Sequence, residues 1–129
     1  MRWLNRDIAA RGPYLTLCTT EKLYREAMRK CKVDYPSPFI DGEFVGEARY
    51  LRLANGERVA VVSITNWEGR DPIVIAGLLV HEATHVWQQY KRDIGEQVPG
   101  DEQEAYAIQI LSQTLMDEFV QQTISTGSR

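Results

Sequence analysis

The chain has 129 residues, of which 43% are hydrophobic and 26% charged, a balance typical of one globular domain with its own core. The net charge is −3, and fifteen basic side chains are scattered among eighteen acidic ones, which argues against nucleic acid as a partner. No apolar run is long enough to span a membrane, and no apolar segment follows the first residues as it does in an export signal. We therefore expect a soluble cytoplasmic protein without a membrane partner, folded as one domain over residues 1–129, with a flexible tail over 124–129.

Two cysteines, Cys18 and Cys31, are too few for a disulfide framework. A single bridge could join them, but the sequence does not require one. Buried reduced thiols in a cytoplasmic protein are the simpler expectation.

The first half of the chain alternates between strand and helix signals. Residues 14–19 predict a short strand, and Thr20 is a suitable N-cap for a surface helix that runs to about residue 31. Two β-rich runs follow at 44–53 and 58–65. Asn55-Gly56 between them is a strong hairpin signal, because both residues tolerate the positive φ of a tight turn.

The second half predicts two helices. Asp71 and Pro72 are typical of an N-cap and a first helical residue, and the run 73–80 is apolar on every side, so we expect this helix to pass through the core. The last helix, predicted over 101–124, follows a turn that contains Pro99. The expected fold is α+β, with a small, mostly antiparallel sheet packed on the buried helix and on this long C-terminal helix.

The run His81-Glu82-Ala83-Thr84-His85, directly after the apolar segment, has the pattern HExxH. Two histidines four residues apart lie on one helical face and can bind one metal ion, with the intervening glutamate as general base toward a metal-activated water. The chain has no other histidine. Because burial of two imidazoles and a carboxylate without partners is costly, a metal site is favoured over a hydrogen-bonded pair of core histidines with Glu82 reaching solvent.

A catalytic zinc site needs a third protein ligand. The inward stripe of the last helix includes Ile108, and Glu104 lies about one turn before it, where a carboxylate needs a partner. Asp101 is a reserve ligand, or else an acceptor for a histidine N–H group. The competing interpretation of Glu104 is a capping box, in which Asp101 caps the helix and Glu104 folds back on the backbone.

With Glu104 nineteen residues after His85, this pattern resembles the gluzincin zinc metallopeptidases, in which a glutamate on a following helix joins HExxH. The run Gln103-Glu104-Ala105 is also similar to the Asn-Glu-Ala of the thermolysin type at that position. The resemblance covers roughly residues 59–115.

The resemblance implies one zinc ion per chain, bound by His81, His85 and Glu104. Glu82 would act as the general base in the hydrolysis of peptide bonds. In zincins a strand pair precedes the active-site helix, and the edge strand, here 58–65, would hold a peptide or protein substrate in extended form.

Two departures from the family pattern leave a second function open. The aspartate that orients the first histidine in thermolysin-like enzymes is replaced by Ile108, and no residue is assigned as the donor that stabilises the oxyanion. The alternative is therefore a zinc-binding module, weak or inactive in catalysis, with a binding or regulatory role. A deformylase-like amidase is a third idea, but neither Cys18 nor Cys31 lies in the Gly-Cys motif that supplies the third ligand in those enzymes.

Overall fold

The computed structural model describes residues 1–4, 13–40, 42–95 and 100–127, with the backbone alone over 125–127. Three helices and one three-stranded sheet within these ranges form an α+β fold. None of these helices combines the length and the apolar character that a bilayer span requires. The predicted turn residue Pro99 and the last two residues of the predicted tail, 128–129, lie outside the described part of the chain.

The sheet consists of β1 (Tyr14–Cys18), β2 (Gly46–Arg52) and β3 (Arg58–Ile64), in the order β1-β3-β2. β2 runs antiparallel to β3, whereas β1 runs parallel to it. The prediction of a mostly antiparallel sheet is therefore wrong for one of the two strand pairs, and the sheet is mixed. The parallel pair arises because the connection from β1 to β3 contains both α1 and β2, and this long crossover brings the chain back to the end of the sheet where β1 began, which a tight hairpin cannot do.

The central position of β3 corrects a second prediction, since residues 58–65 were expected to be the edge strand. Val59 to Ile64 are all buried, as is normal for a strand that has neighbours on both sides and helices on both faces. β2 is an edge strand instead, and β1 lies at the other edge. Its residues are only partly buried or exposed.

The hairpin between β2 and β3 is confirmed. Gly56 has a φ of +88°, and the Leu53 N–H donates to the Glu57 carbonyl oxygen at 2.8 Å across the turn. The Asn55 side-chain oxygen accepts the Glu57 N–H at 3.0 Å, which fixes the turn from its own side chain.

Helix α1 (Glu21–Lys30) covers one face of the sheet. The predicted N-cap is confirmed, because the Thr20 hydroxyl oxygen accepts the Leu23 N–H at 3.2 Å. Cys18 and Cys31 are free and buried in the core between α1 and this face. Burial raises the pKa of the Cys18 thiol to about 12.

Helices α2 (Pro72–Asp93) and α3 (Asp101–Gly127) cover the other face of the sheet. The Asp71 carboxylate accepts the Ile73 N–H at 2.8 Å, so the predicted cap of α2 is confirmed. The larger of the two cores lies between this pair of helices and the sheet, and its largest fully buried side chains are Trp87, Leu15, Leu17, Ile64, Leu79, Leu111, Leu115, Val62 and Val86.

The start of α2 is not buried all round, which corrects the expectation from its sequence. Leu79 is 1% exposed, but Ile73 is 80% exposed and Val74 52%. α2 packs on the sheet and on α3 with one face only, because a domain of this size gives the helix no neighbour on the other side. An apolar run without a polar stripe cannot reveal this, since it carries no signal of which face is left open.

Candidate metal centre

The two histidines of HExxH converge on one point beside α2. The Nε2 atoms of His81 and His85 are 3.2 Å apart, and the two rings are nearly perpendicular, at 83°. Two imidazole nitrogens bound to one tetrahedral zinc ion at 2.0–2.1 Å would be separated by about 3.3 Å. The spacing of the pair therefore fits a shared metal ion, and it fits equally a hydrogen bond between the two rings.

Gln88 orients the second histidine. The His85 Nδ1 atom is 3.1 Å from the Gln88 side-chain oxygen, and a carbonyl oxygen can only accept, so this contact is a hydrogen bond in the tautomer with the proton on Nδ1. The lone pair of His85 then lies on Nε2, the atom that faces His81. The role of Gln88 was not predicted, although its position three residues after His85 on one helix was a readable signal.

The histidine pair lies on the exposed side of α2. Both residues are exposed, whereas the predicted ligand set of His81, His85 and Glu104 requires the metal ion to lie between α2 and α3. His85 instead borders a cleft of about 370 Å³ between α2 and the edge strand β2, where Ala48 and Tyr50 form part of the opposite wall. The prediction is corrected in this respect because α2 turns its HExxH side toward the rim of the sheet.

Glu82 lies under the beginning of the edge strand, with 4% of its surface exposed. Burial raises the pKa of its carboxyl group, and the nearby His81 and His85 oppose this rise. No donor among the described residues forms a hydrogen bond to this carboxylate in the structure. A buried carboxylate beside a histidine pair and without a fixed partner in the described residues can accept a proton from a group that reaches it, but Glu82 is not among the residues that line the cleft.

Gly46 makes this arrangement possible. A Cβ atom at this position would lie 2.8 Å from Oε2 of Glu82 and 3.1 Å from a methyl carbon of Leu78. Only glycine allows β2 to approach α2 so closely. The first residue of the edge strand and the Glu82 carboxylate are thereby brought into direct contact.

Glu104 is not brought to the histidine pair. Its Oε2 atom accepts hydrogen bonds from the Trp87 indole N–H at 2.8 Å and from the Lys91 ammonium group at 3.2 Å. These two bonds lower the pKa of the Glu104 carboxyl group. The carboxylate thus joins α3 to α2, and these contacts are not those of a capping box. Asp101, the reserve ligand, is exposed at the first residue of α3.

The described residues contain no group of three or more His, Cys, Asp or Glu side chains that could together hold a metal ion. The donor set therefore fits a metal through His81 and His85, while the predicted third ligand is engaged elsewhere. Cys18 and Cys31 lie in the core on the α1 side of the sheet, across from α2, so the deformylase-like ligand set is not assembled.

Tyr50 is one of the tyrosines with the chemistry of an oxyanion donor, and it lines the cleft with His85. Its hydroxyl is buried, forms no hydrogen bond within the described part of the chain, and has a pKa raised by burial to about 12. Tyr90 is buried in the core, and Tyr106 is exposed on α3. None of them is held against the histidine pair by a contact in the described residues, so no donor is assigned.

Comparison of the chain with protein-family models finds no match, and comparisons with curated proteins and with solved structures find none either. Function is therefore inferred below from the residues of the site: two converging imidazoles, a buried carboxylate between them in sequence, and a cleft along an edge strand.

Proposed function

We propose that this protein is a zinc-dependent peptide hydrolase in which His81 and His85 hold the metal ion and Glu82 is the general base. The 3.2 Å separation of the two Nε2 atoms is the observation that carries the proposal, because it matches the distance between two nitrogens on one zinc ion. Zinc bound there would supply Lewis-acid activation of water and of the peptide carbonyl group.

Two side chains near the proposed metal position would orient a ligand and transfer the proton. Gln88 keeps the Nε2 lone pair of His85 directed at the metal position. Glu82 has a carboxylate without a hydrogen-bond donor in the described structure, so it can take a proton from water and pass it to the leaving amine.

The edge strand β2 provides a surface for an extended peptide. The Thr65 N–H donates to the Val45 carbonyl oxygen at 3.0 Å, which sets the alternation of hydrogen bonds along the β2–β3 ladder. By that alternation Gly46, Ala48 and Tyr50 direct their main-chain N–H and C=O groups away from β3 and toward the outer edge. A peptide that pairs with this edge would lie beside the cleft that Ala48, Tyr50 and His85 line.

Recognition through main-chain groups favours peptides or unfolded protein segments of many sequences as substrates. The substrate strand is β2 in this proposal, in place of residues 58–65, because β3 has both of its edges paired.

A second candidate function is a zinc-binding module without turnover. The engagement of Glu104 with Trp87 and Lys91 favours it over catalysis, because a catalytic zinc site has three protein ligands and the predicted third one is held elsewhere. The two functions differ in the role of Glu82, which matters for proton transfer but not for metal binding.

The test is zinc binding by calorimetry and elemental analysis, together with hydrolysis of an unfolded protein substrate. We expect about one zinc ion per chain, and loss of binding in His81→Ala and in His85→Ala. Glu82→Gln should keep the zinc ion and lower turnover by about 10²- to 10⁴-fold, the usual contribution of a general base. Glu102→Gln, at an exposed position of α3, is the matched control and should change neither.

A parent protein that binds no zinc would overturn the proposal. If the parent and Glu82→Gln bind zinc equally and neither hydrolyses the substrate, the protein has the second candidate function. Far-UV circular dichroism of each variant separates loss of the site from loss of the fold.

A further inference from the structure

The two walls of the cleft between α2 and β2 differ in chemistry. The polar side chains of the α2 wall are spaced three and four residues apart and so lie on one helical face: His85, Gln88, Gln89 and Arg92. Ala48 and Ala60 line the opposite wall with methyl groups, and the space between the two elements is about 370 Å³. Among the described residues, no aspartate or glutamate lines this cleft.

Arg92 supplies the positive charge of the α2 wall. Its guanidinium group forms no ion pair within the described part of the chain. Arg49 also lines the cleft, but Ala48 and Tyr50 on either side of it pack on the α2 core, so its side chain lies on the other face of β2. There its guanidinium group is 3.5 Å from the Glu47 carboxylate. Of the two arginines at the cleft, Arg92 is therefore the one without a counterion in the described structure.

The two glutamines of this wall have their oxygen atoms engaged within α2. The Gln88 side-chain oxygen is 3.1 Å from Nδ1 of His85, and the Gln89 side-chain oxygen accepts from Arg92 at 3.2 Å. No described residue accepts a hydrogen bond from either side-chain NH2 group. The polar atoms that the α2 wall leaves unpaired are therefore hydrogen-bond donors, and an acceptor with negative charge is their chemical complement.

The position of the cleft along β2 decides which part of a bound peptide can reach these donors. Ala48 and Tyr50 lie in the middle of β2 (Gly46–Arg52), so a peptide paired with the outer edge of the strand would extend past the cleft in both directions. Side chains alternate along an extended peptide, so every second one would point to the side of the sheet that α2 covers. The group that meets the α2 wall is then a side chain and not a chain end.

We propose that this cleft selects peptide segments with an aspartate or glutamate side chain, whose carboxylate accepts hydrogen bonds from the Gln88 amide and the Arg92 guanidinium group. The two donors are four residues apart on α2, so one carboxylate can reach both. The inference rests on the proposed function, which supplies the peptide substrate, but the binding step itself requires no metal ion. Because the net charge of the chain is −3, a preference for acidic peptides would arise from this local arrangement and not from the protein as a whole.

The first measurement is peptide binding by isothermal titration calorimetry in the presence of EDTA. The probe is a short threonine-rich peptide with both ends blocked and one glutamate at its centre, and the same peptide with glutamine at that position is its control. The glutamate peptide should bind about tenfold more tightly, the contribution of one hydrogen bond to a charged group. This preference should fall as salt is added, because Arg92 is exposed.

Two variants of the α2 wall test the assigned donors. Arg92→Met removes the charge and keeps an unbranched side chain, and it should reduce the preference for the glutamate peptide by about two- to fivefold, as expected for an exposed ion pair. Gln88→Glu keeps an oxygen for His85 Nδ1 and replaces the NH2 group by a second oxygen. It should abolish the preference, because two carboxylates would then meet in the cleft.

Each variant has a control with the same change of net charge away from the cleft. Arg29→Met lies at an exposed position of α1, on the other face of the sheet, and is matched to Arg92→Met. Gln113→Glu lies at an exposed position of α3 and is matched to Gln88→Glu. Both controls should bind the two peptides as the parent does. Far-UV circular dichroism of all four variants checks that the fold is retained.

Three results would overturn the inference. The first is equal affinity of the parent for the two peptides at low salt, or no measurable binding of either. The second is a preference that persists in both Arg92→Met and Gln88→Glu, which would place the carboxylate on another surface. The third is tighter binding of the glutamine peptide with a free C-terminal carboxylate than of the blocked glutamate peptide, which would place a chain end in the cleft.

Failure of this inference and failure of the proposed function give different results. Zinc-dependent hydrolysis of both peptides, bound with equal affinity, would leave the proposed function standing without the acidic preference. A glutamate preference that requires Gln88 and Arg92, in a protein that binds no zinc ion, would keep the peptide site and overturn the hydrolase.

Discussion

The side chains on the two faces of α2 lie in opposite environments. On the face toward the sheet and α3, Leu79 and Trp87 are buried, and the one polar atom of Trp87 is paired with Glu104. On the other face, Ile73 is exposed and the histidine pair directs its nitrogen atoms at a common point. The packed face is fixed by its neighbours, whereas the open face keeps its ligand atoms available.

This difference shows how one helix can serve stability and chemistry at once. Groups that hold the fold together find their partners within the protein, so their removal costs free energy of unfolding. Groups on the open side contribute little to the core, and a metal ion or a substrate could engage them without disturbing it. The variants below separate the two contributions by the size and sign of their effect on stability.

The largest expected effect comes from the packed face. Leu79→Ala removes a fully buried side chain and should lower the free energy of unfolding by about 2–5 kcal/mol. Ile73→Ala, six residues earlier on the open face, should change it by less than about 0.5 kcal/mol, because that side chain already meets solvent. Chemical denaturation at equilibrium measures both. A large loss in Ile73→Ala would mean that another surface covers the open face in solution.

Alanine substitutions at two glycines, one on β2 beside α2 and one within α2, should change the stability of the fold in opposite directions. Gly46→Ala would place a methyl group 2.8 Å from Glu82 and should destabilise the fold by about 1–3 kcal/mol, the range for an overpacked site. Gly77→Ala is the matched control within α2. Nothing lies within 4 Å of its added methyl group, so the gain in helix propensity should stabilise the protein by about 0.4–1 kcal/mol.

For each variant, thermal unfolding and chemical unfolding should give the same sign of the change in stability. If Gly46→Ala were as stable as the parent, the close approach of β2 to Glu82 would not be a feature of the folded protein.

The features that the sequence predicted well are those set by neighbouring residues. Thr20 and Asp71 cap their helices, and Asn55-Gly56 forms the hairpin turn, because each signal acts within three or four residues. The convergence of His81 and His85 is of the same kind, since a spacing of four on a helix brings two side chains together whatever the tertiary fold.

The features that could not be predicted depend on how elements pack. The partner of Glu104 is decided by the rotation of α3 against α2, and a sequence spacing of nineteen residues does not specify that rotation. The open face of α2 was hidden because Ile73 and Val74 are as apolar as the residues that α2 buries.

The sequence did contain a signal that β2, and not residues 58–65, would lie at the edge of the sheet. Val59-Ala60-Val61-Val62 has no alternation of polar and apolar residues, which is typical of a strand covered on both faces and paired on both sides. β2, with Glu47 and Arg49 at alternate positions, has the composition of an edge.

A smaller loss than in Leu79→Ala or Gly46→Ala is expected at the C-terminal end of α2, where polar groups are paired as they are on the packed face. Asp93 accepts from Arg52 at 2.6 Å and from Arg58, and so joins the end of α2 to both strands of the hairpin. Asp93→Asn should lower the free energy of unfolding by about 1 kcal/mol, and less in high salt, because Arg52 is largely exposed and its pair is screened. Asp34→Asn, at an exposed loop position, should leave it unchanged. A loss at Asp93 that salt does not reduce would mean that the hydrogen bonds to the two arginines, and not their charges, join the end of α2 to the hairpin.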